Sequence, residues 1–208
     1  MPLVHYRQIN FSTKIGVWHI TEPETFFLKQ VILQKNIAHP HKRLQHLAGR
    51  YLLLQLYPNF PLSLIQIADS NKPFLNNDAY HFSISHCGNY AAVIISTECR
   101  VGVDIEVPQN KIITLQQKFL SDKELTILST LPYSTIKNLT MAWSSKEALF
   151  KWYGLGGVDF KKNMLIQSVI TCGKETHINC KFIKENNSNV VVYNCAVAGI
   201  NNLAWVIT

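Results

Sequence analysis

The five cysteines, at positions 87, 99, 172, 180 and 195, form no C-x-x-C pair and have no histidine companions at zinc-finger spacing. So odd and scattered a set argues against a disulfide framework or a structural zinc. Their strand-like neighbours suggest small buried hydrophobes in a reducing compartment. No apolar run approaches the roughly 18 residues of a membrane span, and the opening Met1-Pro2-Leu3-Val4-His5-Tyr6-Arg7 lacks the apolar core of a signal peptide. The expectation is a cytoplasmic protein without a membrane partner. Charge is also sparse, at 16% of residues, and no Lys/Arg run of nucleic-acid type occurs. The nearest cluster, His39-Pro40-His41-Lys42-Arg43, is short and mixed, so nucleic acid is not an expected partner. Acid is the scarcer sign, with 13 Asp and Glu against 20 Lys and Arg, and the resulting net charge of +7 points to an anionic partner.

What the chain does have is apolar material. Its 208 residues are 47% hydrophobic, enough to fill one large core or two small ones. Residues 2–9 and 14–20 alternate weakly around Asn10-Phe11-Ser12-Thr13 and predict a hairpin. Thr21-Glu22-Pro23-Glu24 has the pattern of a capping box ahead of Phe27, Leu28, Val31 and Ile32. Pro40 opens a second helix that Pro58 closes, with Leu44, Leu47, Ala48, Tyr51, Leu52 and Leu54 toward the core and Lys42, Arg43, His46 and Arg50 as a basic flank.

Strands are expected at 62–68, 79–85, 91–96 and 101–107, the last three forming a meander. Helices follow at 111–120, from the S-x-x-E box at Ser121, and after Pro132 to about Trp152, where Gly154-Leu155-Gly156-Gly157 provides a C-cap and hinge. That glycine-rich stretch lacks the spacing of a phosphate loop. Four antiparallel strands at 165–171, 177–183, 190–198 and 203–207 complete the chain, with turns at 186–189 and 199–202. The class is α+β.

Two stretches carry chemistry. In Val101-Gly102-Val103-Asp104-Ile105-Glu106-Val107 apolar and polar positions alternate strictly, so Asp104 and Glu106 share a strand face about 6.6 Å apart. At an effective dielectric near 20 their repulsion is roughly 2–3 kcal/mol, which a divalent cation such as Mg²⁺ would reverse. A solvated strand face is the simpler alternative. On the helix Trp143-Ser144-Ser145-Lys146-Glu147-Ala148-Leu149-Phe150-Lys151, the ring, carboxylate and ammonium of Trp143, Glu147 and Lys151 fall on one side. The same residues also read as a solvated i,i+4 pair contributing about 0.2–0.5 kcal/mol.

Taken together, Gly102-Val103-Asp104-Ile105-Glu106 and Trp143 to Lys151 resemble the paired signature of the 4′-phosphopantetheinyl transferases, G-[IV]-D-[IVL]-E then W-[STC]-x-K-E-[AS]-x-x-K. Phe82-Ser83-Ile84-Ser85-His86 is similar to that family's F-[NS]-[IVL]-S-H-[ST], Asn71-Lys72-Pro73 to its G-K-P, and Lys42-Arg43 with Arg50-Tyr51-Leu52-Leu53 to its R…R-x-L-L helix. The likeness covers roughly residues 40–155. The sequence departs from the pattern at Cys87, where Ser or Thr is usual, and at Asn71, where Gly is usual.

The resemblance implies two similar α/β halves related by a pseudo-twofold, each an antiparallel sheet with packed helices. Residues 1–100 would contact coenzyme A phosphates, and residues 101–208 would carry the metal carboxylates and the catalytic helix. The implied reaction moves 4′-phosphopantetheine from coenzyme A to a serine of an acidic apo carrier protein. Asp104, Glu106 and Glu147 would hold Mg²⁺, and Glu147 and Lys151 would be catalytic. The base would be Glu147 or a metal-bound water activated by Glu106. Arg43, Lys72, Pro73, Ser85, His86, Lys146 and Lys151 would bind coenzyme A, Lys146 at the rim of the site. The duplicated architecture would permit a monomer. Two competing readings are another Mg²⁺-dependent phosphoryl or nucleotidyl transferase and a catalytically silent module that binds a nucleotide or an acidic protein.

Overall fold

The computed structural model describes residues 2–33, 36–184, 187–199 and 201–208. The chain runs β1 (Leu3–Gln8), β2 (Thr13–His19), α1 (Glu24–Phe27), α2 (Pro40–Leu56), a 3-10 turn (Leu62–Leu64), β3 (Gln66–Ile67), β4 (Pro73–Phe74), β5 (His81–Cys87), β6 (Tyr90–Ser96) and β7 (Val101–Glu106). It continues with α3 (Lys111–Phe119), α4 (Asp122–Leu128), α5 (Thr135–Tyr153), α6 (Phe160–Asn163), β8 (Met164–Cys172), β9 (Glu175–Phe182), β10 (Ser188–Val197) and β11 (Asn201–Ile207). The strands form a four-stranded sheet in the order β1-β2-β6-β5, a five-stranded sheet in the order β7-β11-β10-β9-β8, and the small β3-β4 pair. All pairings are antiparallel, and the class is α+β.

Among the described residues three apolar clusters hold these parts together. One lies under α2 and joins Leu47, Leu52 and Leu53 to Val93 and Ile95 of β6. Another lies under α5 and joins Ala148 and Leu149 to Ile178, Val192 and Val206. The third fills the space between the sheets, where Ile15, Val17, Ala92 and Ile94 meet Val101, Val103, Ile105, Leu203 and Trp205. Strand β6 is therefore covered on both faces, which explains the unbroken apolar run Ala91-Ala92-Val93-Ile94-Ile95 where a half-solvated strand would alternate. On β7 only Val101, Val103 and Ile105 enter the inter-sheet core, leaving Gly102, Asp104 and Glu106 for the opposite face.

The expected 79–85, 91–96 and 101–107 meander does not form, because β7 leaves β6 and pairs with β11 in the other sheet. The expected strand at 62–68 is a 3-10 turn followed by the two-residue β3. The capping box proposed at Thr21 is absent: Pro23 stands at the N-cap of α1, Glu22 accepts the Trp18 indole N–H, and Glu24 pairs with Arg43. Helix α1 accordingly ends at Phe27. The box at Ser121 does form, in both directions.

Arg50 is not part of a solvated flank. It is buried, its Nη1 lies 3.1 Å from His46 Nδ1, and burial lowers its pKa to about 10. In the turn expected at 186–189, Asn186 lies outside the described residues and Ser188 and Asn189 are in β10. In the turn expected at 199–202, Ile200 lies outside them and β11 begins at Asn201. The reason is polar pairing: buried Asn202 donates to Asn194, which donates to Ser145 of α5. The cysteines are all free; Cys180 is buried, whereas Cys172 is exposed, contrary to expectation. Among the described residues no helix is long and apolar enough to cross a membrane.

Candidate active site at the seam between the sheets

Strand β5 ends one sheet and β7 ends the other, and the two edges meet without a backbone ladder. Their joint is made by hydroxyls. Ser83 Oγ accepts the Val103 N–H at 3.1 Å, and Ser85 Oγ accepts the Ile105 N–H at 3.3 Å. The S-x-S spacing places both serines on one face of β5, so side chains satisfy edge groups of β7 that would otherwise lie unpaired inside the protein. Helix α5 closes the other side. A Cβ on Gly102 would sit 2.1 Å from the Ala148 carbonyl oxygen and 2.6 Å from the Trp152 nitrogen, so only glycine allows the helix backbone this close to β7.

Within that seam the Lys151 ammonium is 2.6 Å from Asp104 Oδ1 and 2.9 Å from Ser85 Oγ, and Ser85 donates to the same Oδ1 at 2.8 Å. The Ser85 hydroxyl is thus fully used, donating once and accepting twice. Asp104 is buried, and its second oxygen, Oδ2, has no partner among the described residues. Glu106 receives two donors, the Trp143 indole N–H on Oε1 and the Cys87 thiol on Oε2, each at 3.3 Å. Burial first and Asp104 second hold the Glu106 carboxyl above its usual range. Glu147 is pushed up to about 7 by burial, with Asp104 and Glu106 adding to the shift and Lys151 opposing it. Burial pushes the Cys87 thiol up to about 11, so it stays protonated at neutral pH.

These environments bring Asp104, Glu106, Glu147 and Lys151 together with Ser85. The ion pair of Lys151 crosses from α5 to β7 and reaches Asp104, not Glu147 on its own helix. Among the described residues no three His, Cys, Asp or Glu groups are already gathered as a metal-holding set. Lys151 is instead the cation on Asp104. The donor set nevertheless suits a hard cation: its oxygens come from three carboxylates that repel one another, and one oxygen is buried and unpartnered.

Lys146 does not lie at the rim. It is fully buried, and its Nζ donates to Glu124 Oε1 at 2.6 Å, to the Phe119 carbonyl at 2.7 Å and to the Phe160 carbonyl at 3.0 Å. Glu124 also accepts the Ile166 N–H on Oε1 and the Ser121 N–H and hydroxyl on Oε2. Lys146 therefore ties α5 to α3, α4, α6 and β8. No phosphate contact is open to it. The S-x-x-E box signalled Glu124 only as a cap, and nothing local in the sequence marked its second partner.

The remaining expected residues lie around the seam. His86 is exposed at the end of β5, and partial desolvation, then Lys151 and His41, hold its imidazole below the usual value. His41 at the start of α2 bonds the Gly88 carbonyl, which brings that helix end beside the β5–β6 turn. Arg43 is engaged by Glu24 at 2.8 Å and by the Ile37 carbonyl at 2.9 Å. Lys72 reaches the Trp152 carbonyl at the end of α5 at 3.5 Å; burial and then Arg100 bring its pKa down to about 8. With Pro73, Ser83, Ile84, Phe150 and Lys151 it lines a pocket of about 160 Å³ leading from the seam. Asn71 has φ of 63°, a left-handed conformation that Asn tolerates better than other side chains, which accounts for its standing in place of glycine.

Buried Asp104 and half-buried Glu106 and Glu147 thus stand opposite Lys151 beside the Lys72 pocket, an arrangement chemically able to hold a hard cation next to an anionic group. Residues 100–196 match the sequence model of the 4′-phosphopantetheinyl transferase superfamily. The chain is 33% identical over 147 residues to enterobactin synthase component D of Salmonella typhi, covering 66% of this chain and 58% of that protein. It is 29% identical over 127 residues to a putative 4′-phosphopantetheinyl transferase of Haemophilus influenzae, covering 57% of this chain and 52% of that one. The chain thus spans little more than half the length of these relatives.

Proposed function

We propose that this protein transfers the 4′-phosphopantetheine group of coenzyme A to a serine of an acidic apo carrier protein. In that reaction the serine oxygen bonds to the β-phosphorus, the bond from that phosphorus to the bridging oxygen breaks, and adenosine 3′,5′-bisphosphate leaves with the electron pair. The observation that carries the reading is the Asp104–Ser85–Lys151 junction with its unpartnered Asp104 Oδ2. The match of residues 100–196 to the superfamily's sequence model supports it.

Asp104, Glu106 and Glu147 are the residues that would hold Mg²⁺, which would neutralise pyrophosphate charge. Lys151 stabilises charge developing on the phosphate, and its two present partners fix its direction. Glu147 stands on the helix face that borders the seam and takes the serine proton. Ser85 orients both Asp104 and Lys151. His86, Lys72, Pro73 and Arg43 receive the coenzyme A phosphates and base, Arg43 after exchanging Glu24 for a phosphate. In this reading residues 1–100 form the coenzyme A-binding unit and residues 101–208 the metal and catalytic unit of a cytoplasmic monomer. The net charge of +7 favours an acidic carrier.

Mass spectrometry of an apo carrier protein incubated with coenzyme A and Mg²⁺ tests the reading. The expected product carries one phosphopantetheine, lost in excess chelator and regained with Mg²⁺ or Mn²⁺. Full transfer in excess chelator would remove the metal assignment, and no product with any carrier would favour the silent binding module.

A further inference from the structure

The Glu106 carboxylate is held by two donors from different elements, one on each oxygen. Cys87 reaches Oε2 from the end of β5, and Trp143 reaches Oε1 from α5. The carboxylate is thereby bridged between the two sheets' supporting elements. The Trp143 ring is itself fixed edge-on to Phe119, with centroids 5.1 Å apart, and tilted against Phe160 at 5.5 Å. The Cys87 position is fixed by the pairing of β5 with β6, in which Cys87 faces Tyr90 across the turn. A partly buried carboxylate beside Asp104 would turn away from that like charge unless held. Nothing else bonds its two oxygens among the described residues.

We propose that Cys87 and Trp143 are positioning residues that clamp the Glu106 carboxylate toward Asp104, keeping the two acids on one cation despite their repulsion. The inference rests on the metal role given to Glu106 above. It assigns Cys87 a purpose: a thiol is a longer and weaker donor than a hydroxyl, and its Sγ spans the 3.3 Å to Oε2. Two donors, one on each oxygen, also fix the plane of the carboxylate, which a single hydrogen bond leaves free to rotate. Partners of a metal ligand that are removed singly cost about 10–100-fold in metal affinity, and the weak thiol places Cys87 at the lower end of that range.

The test combines a metal titration with a readout that needs no metal. Mn²⁺ binding to the full chain is followed by electron paramagnetic resonance for wild type, Cys87→Ala, Cys87→Ser and Trp143→Phe, with thermal unfolding of each. Cys87→Ala should weaken Mn²⁺ about tenfold and Trp143→Phe by tenfold or more, while Cys87→Ser retains near wild-type affinity because it restores a donor. The indole N–H resonance assigned by Trp143→Phe should move upfield in Glu106→Gln, since a charged acceptor is replaced by a neutral one. Unchanged Mn²⁺ affinity in both Cys87→Ala and Trp143→Phe, or an indole resonance indifferent to Glu106→Gln, overturns the clamp and leaves metal-dependent transfer standing. Wild-type protein that takes up no Mn²⁺ overturns both. If wild type binds Mn²⁺ but modifies no carrier, the transfer reading fails while the clamp is still decided by the variants.

Discussion

Lys146 and Lys151 stand on the same helix, five residues apart, and meet opposite surroundings. Lys146 is sealed in the interior, where three acceptors match the three hydrogens of its ammonium, and one of those acceptors is a carboxylate whose own lone pairs are also filled. Lys151 is partly open, with a side chain 25% exposed, and has two partners, one of them a carboxylate that keeps an oxygen unpartnered. The difference teaches how one helix serves two ends. Where every donor and acceptor is matched, the group joins elements and does nothing else; where matching stops short inside a pocket, the unspent capacity is available to a ligand.

The comparison is broken most directly at Lys146. Lys146→Ala leaves Glu124 buried without its cation and should destabilise the protein by about 3–5 kcal/mol in urea unfolding. A loss no larger than that of Lys151→Ala would erase the distinction between the two lysines. Conversely, Lys151→Ala should lower transfer turnover by about 10²–10³-fold, equivalent to roughly 2.7–4 kcal/mol, with a stability loss clearly smaller than at Lys146. Lys151→Arg should restore only part of the turnover, because a forked guanidinium does not reproduce one ammonium between Asp104 and Ser85.

The seam can then be pried open without touching a charge. Gly102→Ala places a methyl group against the Ala148 carbonyl and should cost about 1–3 kcal/mol by forcing α5 off β7. Turnover should fall further than the stability loss explains, since Lys151 and Asp104 sit on the two elements being separated. A variant with wild-type thermal midpoint and turnover would show that the close approach is dispensable.

The smallest effect concerns Glu147 and depends on pH. Its folded pKa is raised to about 7 from the ordinary 4.5, so between these values the folded state holds a proton that the unfolded chain releases. Stability from this group is present below pH 4.5 and declines as pH rises toward 7. Glu147→Gln removes the decline, so the variant should melt higher than wild type at pH 8 and similarly at pH 4, by about 2–4 °C for each kcal/mol gained. Thermal melts at the two pH values, in chelator, decide it; a midpoint gain of equal size at both would mean that ionisation of Glu147 is not the cause.

Local chemistry in the sequence was enough for the parts whose signals are local. The β1–β2 hairpin, helices α2 to α5 and the C-terminal strands follow from alternation, capping residues and proline or glycine stops, each set by neighbours within a few positions. The face shared by Asp104 and Glu106, and the one shared by Glu147 and Lys151, follow from the same two periodicities. Partners distant in the chain were decided by tertiary packing alone. Strand β7 joins β11 because its apolar face completes the inter-sheet core, and that choice sets the serines of β5 against its free edge. Periodicity set Lys151 on the face of Trp143 and Glu147 and Lys146 off it, and both were expected to meet phosphate; burial, with the acceptors that converge on Lys146 from α3, α4 and α6, made one a structural tie and left the other facing the seam. A residue's periodicity fixes the side of an element on which it stands, whereas the desolvation and the partners that give it a role come from elements folded against that side.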